Sequence, residues 1–232
     1  MRNPIYVPRG KAKEYGDYAI NIYTGCPHRC FYCFAPNVLR RDREEFHSIV
    51  QPRDGILEAT RKQLEREEIS GKLIHLCFTC DPYPFGHDSL MTRNIIELLK
   101  EHGNHVQILT KGYGARDFDL LDGDDWYGIT IDCGDDEAER HAAIREFGLE
   151  QAHRSGVKTW ISFEPVLDAD RALEYIKHLN GVADRIKIGK LNYYPSNIGW
   201  ADFGKKAEAL CQSLGIDYYI KESLRKEMEE KT

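Results

Sequence analysis

Thr24-Gly25-Cys26-Pro27-His28-Arg29-Cys30-Phe31-Tyr32-Cys33-Phe34-Ala35 places three cysteines on one short stretch, with the spacing CxxxCxxC. Gly25 and Pro27 favour a tight turn that lets the three sulfurs converge. Three thiolates on one loop can ligate three irons of a [4Fe–4S] cluster, leaving the fourth iron without a protein ligand. A metal centre that activates a small molecule needs such an open position. The competing reading is a structural zinc held by the same cysteines and His28. Zinc sites usually draw on two separated ligand pairs, and the sequence offers no second pair at a suitable distance.

Outward from this loop, short apolar runs alternate with helical patterns. Strand candidates are Tyr18 to Tyr23, Leu73 to Thr79, His105 to Lys111, Trp126 to Asp132, Lys158 to Glu164 and Arg185 to Leu191. Helix candidates lie near 54–69, 89–102, 115–121, 136–155, 169–179 and 202–214. Strand followed by helix, about six times over, predicts parallel βαβ units. Period-two parity sorts each strand into two faces. One is apolar: Ile20 and Ile22; Ile74, Leu76 and Phe78; Val106 and Ile108; Ile129 and Ile131; Ile161 and Phe163; Ile186 and Ile188. The other carries Asn21 and Tyr23; His75, Cys77, Thr79 and Asp81; Gln107 and Lys111; Thr130 and Asp132; Trp160, Ser162 and Glu164; Lys187 and Gly189. An open sheet covered on both faces reads as nearly continuous apolar runs. A small closed barrel fills its centre with branched apolar side chains. These strands do neither, and predict an α/β chain folded as a partial (β/α)6 barrel with a polar interior. Asp81, Lys111, Asp132 and Glu164 fall at C-terminal strand ends, where ligands bind in such folds.

The length of 232 residues suits one domain. The expected organisation is an irregular N-terminal arm over 1–17, the barrel over 18–215 and a short charged extension over 216–232, a solvated helix. Lys and Arg total 32 against 38 Asp and Glu, a net charge of −6. That balance argues against tight nonspecific binding to a nucleic-acid backbone. No apolar run approaches the roughly 20 residues a membrane helix needs, and MRNPIYVPRGKAKEYG has no apolar stretch of signal-peptide type. A cytoplasmic location with no membrane partner is expected. Seven cysteines, an odd number, speak against a secreted disulfide framework.

Directly after a strand and ahead of six βα repeats, the cysteine motif resembles that of the radical S-adenosylmethionine (SAM) superfamily. Tyr32 matches the aromatic residue usual before the third cysteine in that family. The resemblance implies a partial (β/α)6 barrel and two cofactors: a [4Fe–4S] cluster on Cys26, Cys30 and Cys33, and SAM chelating the open iron. It implies an enzyme that reductively cleaves SAM to a 5′-deoxyadenosyl radical and abstracts hydrogen from a substrate carbon. A one-electron donor such as flavodoxin or ferredoxin is implied with it.

Over most of residues 18–168 the chain also resembles the spore photoproduct lyase-like branch. The stretches that carry this are Asn21-Ile22-Tyr23-Thr24-Gly25-Cys26, Thr79-Cys80-Asp81-Pro82-Tyr83, Leu109-Thr110-Lys111 and Ile129-Thr130-Ile131-Asp132. The Gly-Gly-Glu motif of many relatives is absent after the second strand. Helix 136–155 lacks the Glu-Pro and Ala-Pro-Ser elements of the branch, although Arg145 sits near an expected arginine. The branch's DNA lesion is therefore not carried over, and because 232 residues leave little beyond the barrel to cap a substrate, the expected substrate is macromolecular, nucleic acid or polypeptide. The alternatives are an activase or peptide-modifying enzyme acting on a partner protein, and a non-catalytic iron–sulfur or zinc protein.

The resemblance also suggests roles. Asp81 would receive the SAM amino group, with Thr79 below it, and Lys111 would pair with the SAM carboxylate. Glu164 would bind ribose hydroxyls or substrate, or serve as a structural partner of Lys187. Lys187 has inward parity and Lys190 does not. Tyr32, Thr130, Asp132 and Ser162 complete the expected cofactor contacts. Cys133 and Cys80 are candidate hydrogen donors. Cys77 and Cys80 are expected on opposite faces of a strand, so that no auxiliary cluster forms with Cys211. The stretch Leu191-Asn192-Tyr193-Tyr194-Pro195 would line a substrate mouth, where aromatic rings can stack on bases. Arg40, Arg41 and Arg43 read as a solvated basic group.

Overall fold

The computed structural model describes residues 3–134 and 136–229, with the backbone alone over 136–140. Its strands are β1 (Ile5–Tyr6), β2 (Tyr18–Ile20), β3 (Leu73–Leu76), β4 (His105–Thr110), β5 (Trp126–Thr130), β6 (Lys158–Val166), β7 (Arg185–Lys190) and β8 (Asp217–Ile220). They form one sheet in chain order. β1 runs antiparallel to β2, while β2–β3, β3–β4, β6–β7 and β7–β8 are parallel. Helices α1 (Ala35–Leu39), α2 (Arg43–Ser48), α3 (Ile56–Glu67), α4 (Leu90–Glu101), α5 (Asp136–Arg154), α6 (Ala169–His178), α7 (Trp200–Leu214) and α8 (Glu222–Glu229) fill the connections and the C-terminus. This is the α/β order of a partial (β/α) barrel, as the alternation predicts. The chain separates into two compact units, Met1–Trp126 and Tyr127–Thr232.

In the first unit the apolar face is buried as expected: Ile20, Ile74, Leu76, Val106 and Ile108 are inaccessible to solvent. α4 covers it with Ile95, Ile96, Leu98 and Leu99. The polar face is buried too, and it satisfies itself. His75 Nδ1 lies 2.9 Å from Gln107 Oε1, and Tyr15 of the N-terminal arm packs against His75 with ring centroids 5.5 Å apart. The arm is more ordered than an irregular lead-in. Gln63 of α3 binds both the N–H and the carbonyl of Ile5 at 2.8 Å.

Parity fails after Leu76. The second strand was expected to run to Thr79, but Cys77 takes a left-handed φ of 71°, which ends the strand. Phe78, assigned to the apolar helix-facing side, instead stacks on His75 of the polar face, centroids 4.2 Å apart. The expected separation of Cys77 and Cys80 is also corrected: the turn brings the two thiols close enough to perturb each other.

In the second unit, β6 and β7 pair over Trp160↔Arg185 to Val166↔Lys190. Asp168 caps α6 by accepting from Arg171 N–H at 3.0 Å. Residues from 216 onward, expected as a charged extension, supply β8 and α8 instead. β8 pairs with β7, and α8 buries Leu224 and Met228. Gly204 of α7 makes room for them: a Cβ there would meet the Met228 side chain. The expected helix 115–121 is a short 3-10 segment, Ala115–Leu120. No described helix is long and apolar enough to cross a membrane.

Candidate metal and cofactor site

The cysteine loop leaves β2 and is braced by α2, an element the hydrophobic pattern does not announce. Asp42 caps α2 by accepting from Glu45 N–H at 2.9 Å. Phe46 of this helix takes a hydrogen bond from Cys26 N–H at 3.2 Å, and His47 Nδ1 lies 2.8 Å from the Cys26 carbonyl. Gly25 sits directly against this brace. A Cβ there would collide with the carbonyl oxygens of Phe46 and Ile49, so a larger residue would push the loop off the helix. Of the basic group expected to be solvated, Arg40 is exposed while Arg41 and Arg43 turn inward. Arg41 donates to Thr24 O at 2.6 Å. Arg43 donates to the carbonyls of Cys30 and Phe31 at 2.6 Å and of Cys33 at 3.2 Å.

All three loop cysteines are free thiols. Burial pushes Cys26 well above its ordinary pKa, and nearby Asp81 adds to the rise. Cys33 is raised by burial, with the charges of Arg43 and Lys111 acting the other way. Among the described residues, these cysteines and His28 supply no three ligand atoms within 4.8 Å of one another. A tetrahedral zinc with bonds of about 2.3 Å would draw its sulfurs to about 3.8 Å. A soft donor set of three thiolates is the chemistry of iron–sulfur clusters. His28 itself is engaged elsewhere, with Nε2 3.1 Å from Asp81 Oδ2.

Asp81 joins three segments. Its Oδ1 accepts from Thr110 Oγ1 at 2.5 Å and Tyr83 N–H at 2.8 Å, and its Oδ2 accepts from Lys111 N–H at 2.8 Å. Burial drives its carboxyl upward, but the neighbouring His28 ring and the hydrogen bonds from Lys111 and Thr110 hold it below the ordinary carboxylate value. Three hydrogen bonds and the nearby His28 ring occupy most of the acceptor capacity of a carboxylate. Lys111 Nζ reaches Tyr32 OH at 2.5 Å, so the end of β4 and the cysteine loop meet through these two residues. Thr79 N–H and Phe78 N–H both donate to Asn21 Oδ1, at 2.9 and 2.8 Å, and Arg53 Nη2 approaches Thr79 Oγ1 at 3.4 Å. The Cys80 sulfur accepts from Tyr23 N–H at 3.4 Å. Despite burial, that bond, the Cys77 thiol and Arg53 hold Cys80 below its ordinary pKa.

The second unit gathers the remaining expected residues at its own strand ends. Thr130, Asp132, Ser162 and Lys187 are all buried. Asp132 Oδ1 accepts from Gly134 N–H at 3.2 Å. Cys133 adopts φ 57°, beside a small cavity lined also by Ala142, Arg145 and Tyr175. Burial, with Asp132 and Asp168 nearby, pushes its thiol up to about 12. Lys187 Nζ lies over the rings of Trp160 and Tyr219, 5.2 and 5.9 Å from their centroids. The sequence offers Lys187 as a partner of Glu164; the ion pair found is with Lys221, at 3.0 Å. Gly189 makes this crossing possible, since a Cβ there would press on the Glu164 side chain. Lys221 is 1 % exposed and carries no signal in the sequence, because β8 does not stand out there.

The family model of the radical SAM superfamily matches residues 20–169. An uncharacterized protein of Methanocaldococcus jannaschii is 25% identical over 186 residues, covering 75% of this chain and 67% of that protein. Among solved structures, spore photoproduct lyase complexed with dinucleoside spore photoproduct matches with a TM-score of 0.63 at 14% identity, over 93% of this chain and 79% of the other. Streptococcus suis SuiB bound to S-adenosylmethionine matches at 0.67 and 11% identity, over 91% of this chain and 52% of that one. At such identities the structural likenesses speak for the fold alone. The family match runs from the strand that delivers the cysteines to the loop past β6, and on that span the chain belongs to the radical SAM superfamily.

Proposed function

We propose that this radical SAM enzyme acts on a macromolecular substrate, and that the substrate is nucleic acid. The observation that carries this reading is Tyr193. Just beyond β7, it holds a left-handed φ of 67° and leaves its ring 87% exposed. A non-glycine residue held in that region at a loop tip marks a constrained, functional position. An exposed ring is the platform on which a base stacks, whatever its sequence. Tyr194 beside it is also exposed.

When bound, the cluster supplies one electron that cleaves SAM and so generates the carbon radical that takes hydrogen from the substrate. The chain's own residues prepare that event. Cys26, Cys30 and Cys33 hold the cluster. Lys111, steadied by Tyr32, offers its ammonium to the SAM carboxylate. Asp81 receives the SAM amino group in exchange for His28, and Thr79 borders it. In the second unit, Thr130, Asp132, Ser162, Glu164 and Lys187 contact ribose, base or substrate, each through its own strand end. Cys133 and Cys80 are the candidate hydrogen donors. Cys133, whose thiol burial pushes up to about 12, keeps its S–H hydrogen at neutral pH, whereas Cys80 is held below the ordinary thiol value. A flavodoxin or ferredoxin delivers the electron at the face where Phe31 and Phe34 are exposed.

A single-stranded oligonucleotide tests the substrate reading. With the reconstituted enzyme, dithionite and SAM, an oligonucleotide should raise 5′-deoxyadenosine formation, and Tyr193→Ala should lower its affinity about 5- to 100-fold. No stimulation by DNA or RNA, with stimulation by a polypeptide, would replace this reading by that of a peptide-modifying enzyme.

A further inference from the structure

The cysteine loop is held by a guanidinium that the chain leaves electrically uncompensated. Arg43 donates to three carbonyls of the loop, those of Cys30, Phe31 and Cys33. Two of these belong to cluster-ligating residues and the third lies between them. Neighbouring cations are neutralised: Arg29 pairs with Glu44 at 2.7 Å, and Arg41 pairs with Glu45 at 2.8 Å. Arg43 meets no carboxylate among the described residues. Its position is set by α2, on which it is the first residue, and the Asp42 cap fixes where that helix begins.

We infer that Arg43 is a positioning residue for the cluster: it ties the three-cysteine loop into ligating shape, and its charge raises the reduction potential of the centre. The first half follows from geometry. A planar fork with five N–H donors reaches three carbonyls at once, which an ammonium on a flexible stem cannot reproduce. Without it, the Cys30–Cys33 turn would lose the ties to three of its carbonyls, keeping its own Cys33 N–H to Cys30 O bond of 3.0 Å. The second half follows from charge. A thiolate-ligated cluster gains a negative charge on reduction, and a cation lodged behind the ligands lowers the cost of that electron.

The inference rests on the reading that these cysteines hold an iron–sulfur cluster, and the experiment separates the two. Wild type, Arg43→Lys and Arg43→Gln are reconstituted anaerobically. Iron and sulfide content, the midpoint potential by electron paramagnetic resonance titration, and the rate of iron release to a chelator are then measured. A wild type that binds no cluster removes the underlying reading. With a cluster in the wild type, both variants should release iron about 10-fold faster or more, the range for residues behind metal ligands. The potential should fall in Arg43→Gln and stay near wild type in Arg43→Lys, which keeps the charge. If Arg43→Gln retains no cluster, Arg43→Lys decides: release as slow as wild type overturns the tie. A wild-type potential in a loaded Arg43→Gln overturns the electrostatic role.

Discussion

Asp81 shows how much a single carboxylate can organise. It gathers Thr110, Tyr83, Lys111 and His28, so the end of β3, the end of β4 and the cysteine loop all depend on one buried charge. Asp81→Asn should destabilise the protein by about 2 kcal/mol at neutral pH, the scale of leaving buried donors unsatisfied. The sign of its pH dependence follows from the depressed folded carboxyl. Its stabilisation is complete above about pH 4, the unfolded value, and is lost as pH falls through the lower folded value. Denaturant titrations should therefore show the wild-type advantage over Asp81→Asn at pH 7 and its narrowing below pH 4. An advantage that grows on acidification would contradict the assignment. For SAM itself, calorimetry should show binding lost in Asp81→Ala and retained in His28→Ala; unchanged binding in Asp81→Ala would remove the amino-group assignment. Strand parity places Lys111 at the end of β4 on the polar side, but Asp81 lies beyond the turn at Cys77 and is positioned by that turn rather than by the pleat. What parity does not show is that Asp81 already holds three protein donors, with His28 of the cysteine loop 3.1 Å away. Arg43 was misread for a related reason: three arginines in four positions look solvated until a helix turns one of them inward.

The elements behave as their patterns dictate where both faces of a strand are tested by packing, and depart where one backbone angle intervenes. β4, β5 and β7 match their expected spans within a residue or two, because alternating apolar side chains have a helix-covered face to fill. β3 stops three residues early at Cys77, whose φ no periodicity foretells. β8 was missed because Asp217-Tyr218-Tyr219-Ile220 offers too little apolar alternation. It is recruited by pairing with β7, and α8 then closes over α7. The crossing of Glu164 over Gly189 to Lys221 belongs to this level. Gly189→Ala should destabilise by about 1–3 kcal/mol through overpacking. In a double-mutant cycle most of that cost should vanish in a Glu164→Ala background. Equal cost in both backgrounds would mean that Gly189 serves some other neighbour. At the far edge, Glu208 holds Arg225 through two hydrogen bonds of 2.8 and 2.9 Å. The bond from Arg225 keeps its carboxyl below the ordinary value. Glu208→Gln should cost about 0.5–1 kcal/mol, as for a well-formed surface pair. That difference is present above the unfolded glutamate pKa of about 4.3 and disappears as pH falls through the folded one.

For the whole molecule, the charge balance of −6 and the internal pairing of its arginines weigh against broad phosphate contact. If the substrate is a single-stranded nucleic acid held by stacking, a plot of log affinity against log salt should have a slope shallower than about −2, three phosphate contacts or fewer at about 0.7 each. A steep slope would point to a basic groove and to phosphate contacts instead of stacking. The family, by contrast, was readable from twelve residues, because a cysteine spacing followed by repeated βα units ties one chemistry to one architecture. The central claim is radical SAM chemistry at Cys26, Cys30 and Cys33, and one assay addresses it directly. The protein is reconstituted anaerobically with iron and sulfide, reduced with dithionite, supplied with SAM, and assayed for 5′-deoxyadenosine beside Cys30→Ala. The account predicts an iron–sulfur spectrum and 5′-deoxyadenosine in the wild type, with both lost in the variant. A colourless protein carrying one zinc, or product formation undiminished in Cys30→Ala, would contradict it.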